Sequence, residues 1–404
     1  MRRMRAVAAV LAVFTLVVAG CGDDDTGGKE QKANSELKGD PIVIGLDEDS
    51  TGPGASYSTI AGKTIRDAVD ELNAGDGILG RPVKLLVEND ESDPTKAPSV
   101  IRKLLDDGAQ ALLLVTASAA VNQSKPVIQE AQVPSIAPIA ISQTFATPPD
   151  SDYAFSLANL LDNFVEVYCG AAEELGYTKL AIISDNTPTI EGVNGLLKPG
   201  LADCMEIVAD ETAAVDASDV NAQIAKVKDA DPDLVLVSSV GGNFEVLVHN
   251  TLAQQLPDVQ RFSLASIGNQ PDIWKLATPG SLEDLVFMGS IDKDNPRTAD
   301  LEKKLREWRG DDDYSITAYD AQAYDSIQIL KQAIEAAGST DGPAVLAALE
   351  GISDYQASFG ADSFSISFSK DKHTGADGLC GLVLTHFGAD NTPDGAWDEY
   401  QPAC

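Results

Sequence analysis

The sequence predicts an α/β protein of two successive lobes, each a parallel sheet with helices on both faces. Three observations predict it. Short apolar runs alternate with segments whose apolar residues recur at helical spacing. The runs are continuous rather than every-other-residue, as in strands buried on both faces. The whole alternation restarts after about residue 160.

In the first run, residues 42–46 (Ile-Val-Ile-Gly-Leu) form a strand. Residues 58–73 follow as a helix with Ile60, Ile65, Ala68, Val69 and Leu72 on one face. Residues 83–87 are a strand, and 95–107 a helix with Val100, Ile101, Leu104 and Leu105 turned inward. Strand 111–115, helix 119–131 and strand 134–138 complete the series. The second run reads helix 162–175, strand 179–184, helix 190–203, strand 206–209, helix 219–230, strand 234–237 and helix 243–256. Helices at 298–309 and 316–337 and a β-rich tail from 363 to 387 close the body.

Ahead of this body stands an export signal. Arg2, Arg3 and Arg5 precede an apolar run from Ala6 to Val18, too short to span a bilayer with normal margins, and small residues lead into Cys21. Residues 16–21 (Leu-Val-Val-Ala-Gly-Cys) resemble a bacterial lipobox, which implies lipidation of Cys21 and cleavage on its N-terminal side. The alternative is a soluble secreted protein cleaved nearby. Several acyl chains on one residue make a stable anchor where one would be marginal. The domain plan is a signal peptide at 1–20 and a flexible tether at 21–40, since residues 22–40 hold almost nothing apolar.

Composition narrows the function. Removal of residues 1–20, which carry three arginines and no acid, leaves 384 residues and takes the net charge from −34 to −37. Such an acid excess argues against nucleic acid as a partner and against flat docking on anionic lipid. Besides Cys21 there are Cys169, Cys204, Cys380 and Cys404, an even set in a compartment where disulfides persist. Three pairings are formally possible; Cys169–Cys204 and Cys380–Cys404 are favoured because each closes a local segment. No cysteine pair has zinc-finger spacing, and His249, His373 and His386 are scattered, so no metal is expected.

Two motifs mislead. Residues 75–80 (Gly-Asp-Gly-Ile-Leu-Gly) match the dinucleotide fingerprint, but a helix precedes them and a strand follows, the reverse of what a phosphate-binding turn needs. Residues 367–370 (Ser-Phe-Ser-Lys) match an acyl-serine pattern, yet the segment alternates like a strand and cannot bring the lysine back to the serine. No nucleophile elbow, metalloprotease helix motif or P-loop occurs. No catalytic residue, enzyme activity or cofactor is expected.

Residues 42–45 (Ile-Val-Ile-Gly), 50–53 (Ser-Thr-Gly-Pro), 70–74 (Asp-Glu-Leu-Asn-Ala), 77–82 (Gly-Ile-Leu-Gly-Arg-Pro) and 89–94 (Asn-Asp-Glu-Ser-Asp-Pro) stand in a recognisable order and spacing. They resemble the leucine/isoleucine/valine-binding proteins, the type I periplasmic binding proteins of ABC importers. Residues 323–325, 333–342 and 347–351 resemble that family's late helices. The resemblance implies two Rossmann-like lobes joined by three crossover segments, with a ligand cleft between them. The crossings are expected near 153–159, 289–294 and 360–366. The N-terminal lobe is then 41–156 plus 292–362, and the C-terminal lobe 157–291 plus 363–404.

In such sheets ligands bind beyond the carboxyl ends of the strands. That rule selects the loops 47–57, 116–120, 139–142, 184–191, 238–244 and 266–270, and with them Ala140, Ser142, Asn243 and Asn269 as candidate contacts. Ser118 is expected to open a helix as its N-cap. The resemblance implies that it also grips a ligand carboxylate and that Tyr57 packs on the ligand. Two departures stand out. Ile141 aligns with a family threonine, with Ser142 beside it, and residues 266–270 offer no carboxylate for an ammonium. Asp47 and Asp49 are possible substitutes, and a ligand other than a branched-chain amino acid is implied.

The expected protein is an exported, lipid-anchored, monomeric solute receptor that meets a small polar organic molecule, the membrane through its lipid, and an ABC permease. The alternative is a ligand sensor working with a separate membrane partner, since no apolar run near eighteen residues follows the body.

Overall fold

Two mainly parallel sheets, each with its helices packed around it, carry the computed structural model. It describes residues 37–142, 144–376 and 378–404; the signal segment, Cys21 and most of the tether lie outside them. The first lobe opens with β1 (Ile42–Glu48), α1 (Ala55–Ala74), β2 (Val83–Glu88), α2 (Ala97–Asp106), β3 (Ala111–Val115), α3 (Ser118–Ala131), β4 (Ser135–Ala137) and β5 (Ala154–Ser156). Among the described residues these strands pair in parallel in the order β2–β1–β3–β4–β5.

The second lobe repeats the plan with α4 (Leu161–Leu175), β6 (Lys179–Asp185), α5 (Pro188–Ala202), β7 (Glu206–Ala213), α6 (Asn221–Asp229), β8 (Leu234–Ser238), α7 (Gly242–Gln255), β9 (Gln260–Ser263), a short α8 (Pro271–Trp274) and β10 (Val286–Gly289). The rest of the chain adds α9 (Pro296–Arg309), α10 (Ala318–Ala337), α11 (Gly342–Glu350), the short strands β11 (Tyr355–Gln356) and β12 (Ser365–Ile366), and β13 (Val383–Phe387) and β14 (Pro393–Ala396). The second sheet runs β14–β13–β10–β9–β8–β6–β7, with β13 and β14 antiparallel at one edge. Its parallel part has the same doubly wound order as the first sheet, so each lobe has a switch point beside its first strand, β1/β3 and β6/β8.

Local chemistry explains the boundaries. β3 and β8 are buried along their whole length, which is why both read as unbroken apolar runs. Thr317 and Asp320 form a reciprocal capping box at the start of α10. Thr187, Asn295 and Asp341 cap α5, α9 and α11, each with proline at the first or second helical position. Both disulfides join the favoured partners, Cys169–Cys204 and Cys380–Cys404.

The third crossing departs from expectation. The chain meets the other crossings at Gly360, whose N–H donates to Ser290 O at 2.7 Å, but then turns back. β12 pairs with β11, Thr374 bridges to Ser156, and His373 stacks on Phe155 of β5 at 4.0 Å. Residues 363–376 therefore pack on the first lobe, not the second, and the final passage runs through residues 378–382. Burial of Phe368 and His373 against Phe155 is the physical reason. No described helix is long and apolar enough to cross a membrane.

Candidate functional site

The switch points of the two sheets face one another, and a chamber of about 50 Å³ lies between them. From the first lobe it is walled by Tyr57 on the first turn of α1, by Thr116, Ala117 and Ser118 after β3, and by residues 139–141 after β4. The second lobe adds the start of α5 (Thr189, Ile190, Val193), the loop after β8 (Ser239, Val240) and the loop after β9 (Leu264, Ser266). Tyr319, in the first turn of α10, closes the remaining side, its ring 5.9 Å from that of Tyr57. Burial pushes both tyrosine hydroxyls up, so they stay protonated and able to donate.

An outer vestibule of about 350 Å³ between α3 and α5 shares Ser118, Ile141, Thr189 and Val193 with the chamber. Those four side chains form the neck between the two spaces.

Buried polar networks hold the walls. Asp49 accepts from Thr116 Oγ1 at 2.7 Å and from Ser92 Oγ at 2.9 Å, while Asp90 Oδ2 lies 2.9 Å from the same threonine hydroxyl. Asp47, Asp49 and Asp90 are all fully buried. Burial first, then neighbouring carboxyls, drive Asp47 up and push Asp90 to about 9, so Asp90 keeps its proton at neutral pH. Across the cleft, Asp185 accepts from Thr187 Oγ1 at 2.6 Å and from Val240 N at 2.8 Å, tying β6 to the loop after β8. Gly241 (φ 91°) and Gly242 (φ 67°) lead into α7. A side chain at Gly241 would collide with Gln270, which accepts from Gly242 N and donates to Val240 O.

Beneath the second-lobe wall, Ser263 Oγ donates to Glu245 Oε1 at 2.5 Å and lies 2.9 Å from His249 Nε2. Burial pushes Glu245 up to about 8 and His249 down, so both are neutral near pH 7. Among the described residues, no charged side chain lines the inner chamber. Its polar surface is hydroxyl groups and the start of α3, where the first N–H groups have no intrahelical acceptor.

The expected contact residues divide. Tyr57, Ser118 and Ala140 line the chamber. Ser118 is the first residue of α3 rather than its N-cap. Ala117 takes the cap position without a side-chain bond, so the serine hydroxyl is not spent on capping. Ser142 lines only the vestibule, where its hydroxyl donates to Asn122 Oδ1 at 2.9 Å. Asn243 is exposed on α7 and outside the chamber, because the Gly241–Gly242 turn rotates it away. Asn269 is buried but works as a tie: its Nδ2 donates to Ala265 O at 2.7 Å and its Oδ1 accepts from Ala318 N at 2.8 Å. Neither asparagine reaches the chamber. Thr189, Ser239 and Ser266 lie in loops that the strand-end rule selects, whereas Tyr319 opens α10, which follows a helix rather than a strand, and escapes that rule.

A family model described as periplasmic binding protein matches residues 41–379. The Leu/Ile/Val-binding protein homolog 1 of Brucella suis biovar 1 (strain 1330) is 27% identical over 324 residues, covering 76% of this chain and 82% of its own. The homolog 2 of Brucella abortus (strain 2308) is 27% identical over 329 residues, covering 80% and 86%. Among solved structures, the branched-chain amino acid transporter substrate binding protein LivJ of Streptococcus pneumoniae, in complex with isoleucine, superposes with a TM-score of 0.75. It is 22% identical, with 88% of this chain and 99% of that one covered. Leucine binding protein LivK of Thermotoga maritima gives 0.73 at 18% identity, covering 87% and 97%. At these identities the likeness is one of fold.

Proposed function

Because the chain belongs to the periplasmic binding protein family, a family of non-enzymatic solute receptors, we propose that it captures a small polar organic solute in the inner chamber together with the vestibule that opens from it, and presents it to an ABC importer. One observation carries the site: the chamber at the switch points of both sheets is lined by hydroxyls, apolar side chains and the start of α3.

In this reading Ser118 and the first N–H groups of α3 hold a carboxylate or carbonyl oxygen, where the helix end places partial positive charge. Tyr57 and Tyr319 cover the ligand from two sides, and Ala140 offers backbone groups. Ile139, Ile190, Val193 and Leu264 receive an aliphatic body, which suits the branched-chain ligands named for the relatives. An amino-acid ligand would bring an ammonium without a carboxylate beside it in the chamber, so amides and organic acids are equal candidates. We further propose that Cys21 carries lipid at the outer face of the cell membrane, that the receptor is a monomer, and that 41–156 plus 292–376 moves as one lobe against the remainder.

The test is a thermal-shift screen against branched-chain amino acids, their amides and the corresponding organic acids, followed by calorimetry. A ligand that binds only the folded state raises the melting temperature. Failure of every class to stabilise the protein would remove the chamber as a solute site. Full partition of the mature protein into the aqueous phase of a detergent extraction would remove the lipid anchor.

A further inference from the structure

A larger cavity, about 260 Å³, lies on the other side of the loop after β9. That loop is a partition: Leu264 and Ser266 face the chamber, while Gly268 and Asn269 face this second space. The floor is buried and aromatic. Trp274 meets Phe387 edge-on at 5.7 Å, and Phe287 lies 5.4 Å from the same ring, so Trp274 and Phe287 form one rigid wall. Gly268 carries no side chain because one would strike the ring of Phe287. The opposite wall comes from Ala299 and Glu302 on α9 and from Ile316.

The rim holds two charges in different states. Glu302 is engaged, since its Oε1 accepts from Arg306 Nη2 at 3.1 Å and from Ile316 N at 3.4 Å. Lys293 is exposed at the mouth, and among the described residues no hydrogen bond or ion pair engages its ammonium. In a chain of net charge −34, a lysine with no acidic partner beside an aromatic floor is a free counter-ion for an anion.

From this arrangement we propose a second ligand site, distinct from the solute chamber, that takes a small aryl carboxylate with its ring on Trp274 and Phe287 and its carboxylate at Lys293. Size agrees with the class. An apolar cavity of roughly 150 Å³ holds benzene, and about 260 Å³ leaves room for a ring and a short acid arm. The floor includes Ser290, a residue of the second crossing, and the walls come from both lobes. An occupant would therefore favour whichever lobe arrangement it contacts better.

Phenylacetate is the probe, titrated into the purified protein with tryptophan fluorescence and calorimetry as readouts, and 2-phenylethanol is its uncharged counterpart. Saturable binding of phenylacetate is expected. Lys293→Ala should weaken it by about five-fold, the scale of a favourable exposed ion pair, and leave 2-phenylethanol unchanged. Ala299→Trp, a change at an exposed position on the mouth, should abolish binding of both while circular dichroism stays native. No saturable binding, or equal affinity in wild type, Lys293→Ala and Ala299→Trp, would overturn the site. Phenylacetate binding that disappears in Ser118→Ala but survives Lys293→Ala would place the ligand in the solute chamber and also overturn it.

Discussion

Asn159 Nδ2 donates to Ser290 Oγ at 2.8 Å, and the same amide donates to Gly381 O at 3.2 Å. One buried side chain thus links the three passages between the lobes, at 157–160, 290–295 and 378–382. Gly360 N and Asn295 Nδ2 extend the knot to residues 357–360. A lobe can rotate only by moving segments that this node holds in register.

Asn159→Ala removes both donors and leaves Gly381 O without its partner in a buried place. Each buried polar group so orphaned costs about 1–3 kcal/mol. Urea denaturation should show a loss on that scale, together with a changed ligand affinity as the open and closed arrangements shift. A variant as stable as wild type would mean that water replaces the amide and that the node has no mechanical role.

The two disulfides should act mainly on the unfolded chain. They span 35 and 24 residues, and loop-closure entropy at such lengths gives roughly 3–4 kcal/mol each. Paired serine substitutions, made one bridge at a time, should lower stability by that order. Cys380–Cys404 also holds the C-terminal tail beside the third passage, so Cys380→Ser with Cys404→Ser should loosen protease resistance at residues 397–404 before the rest. Uniform resistance would show that Tyr400, packed on Gly170 of α4, holds the tail unaided.

Strands buried on both faces were the legible part of the fold. Residues 111–115 and 234–237 need no context, because nothing polar interrupts them. β9 escapes such a reading: Gln-Arg-Phe-Ser looks like loop, and Arg261 is tolerated inside only because Ser281 O and Glu283 O accept its guanidinium at 2.6 Å each. β10 is four residues long and α11 nine, too short to stand out by periodicity. The turn-back of 363–376 depends on the stacking of His373 and Phe155, residues far apart in sequence. In the chamber, strand ends named the loops but not which side chain points inward. Asn243 and Asn269 show the difference: a two-glycine turn swings one outward, and a backbone tie to Ala318 occupies the other.

Glu245 sets a pH dependence of stability. Its folded value is raised to about 8 from an ordinary 4.5, so between those values the unfolded chain loses its proton while the folded one keeps it. The stabilisation is fully present below pH 4.5 and is lost as pH rises toward 8, with a slope of up to about 1.4 kcal/mol per pH unit. Asp90, raised to about 9, acts in the same direction. Glu245→Gln mimics the protonated acid and should flatten the fall, leaving melting temperature little changed at pH 4.5 and higher than wild type at pH 8. Parallel pH profiles for the two proteins would show that Glu245 is ionised in the fold.

The final prediction separates recognition from folding at Ser118. Since Ala117 occupies the cap position of α3, the Ser118 hydroxyl has no capping bond to lose, and it makes no hydrogen bond among the described residues. Alanine is well tolerated in a first helical turn, so Ser118→Ala should hold stability within about 0.5 kcal/mol. Its place at the neck between chamber and vestibule gives the hydroxyl access to any ligand oxygen brought to the helix end. Its removal should weaken binding by about 0.5–1.5 kcal/mol for a neutral acceptor and about 1.5–3 kcal/mol for a carboxylate. Calorimetry on wild type and variant, with the ligand found by screening, measures the difference, and its size reports the charge of the oxygen. An unchanged affinity would shift recognition to the opposite wall, where Thr189, Ser239 and Ser266 line the chamber from the second lobe.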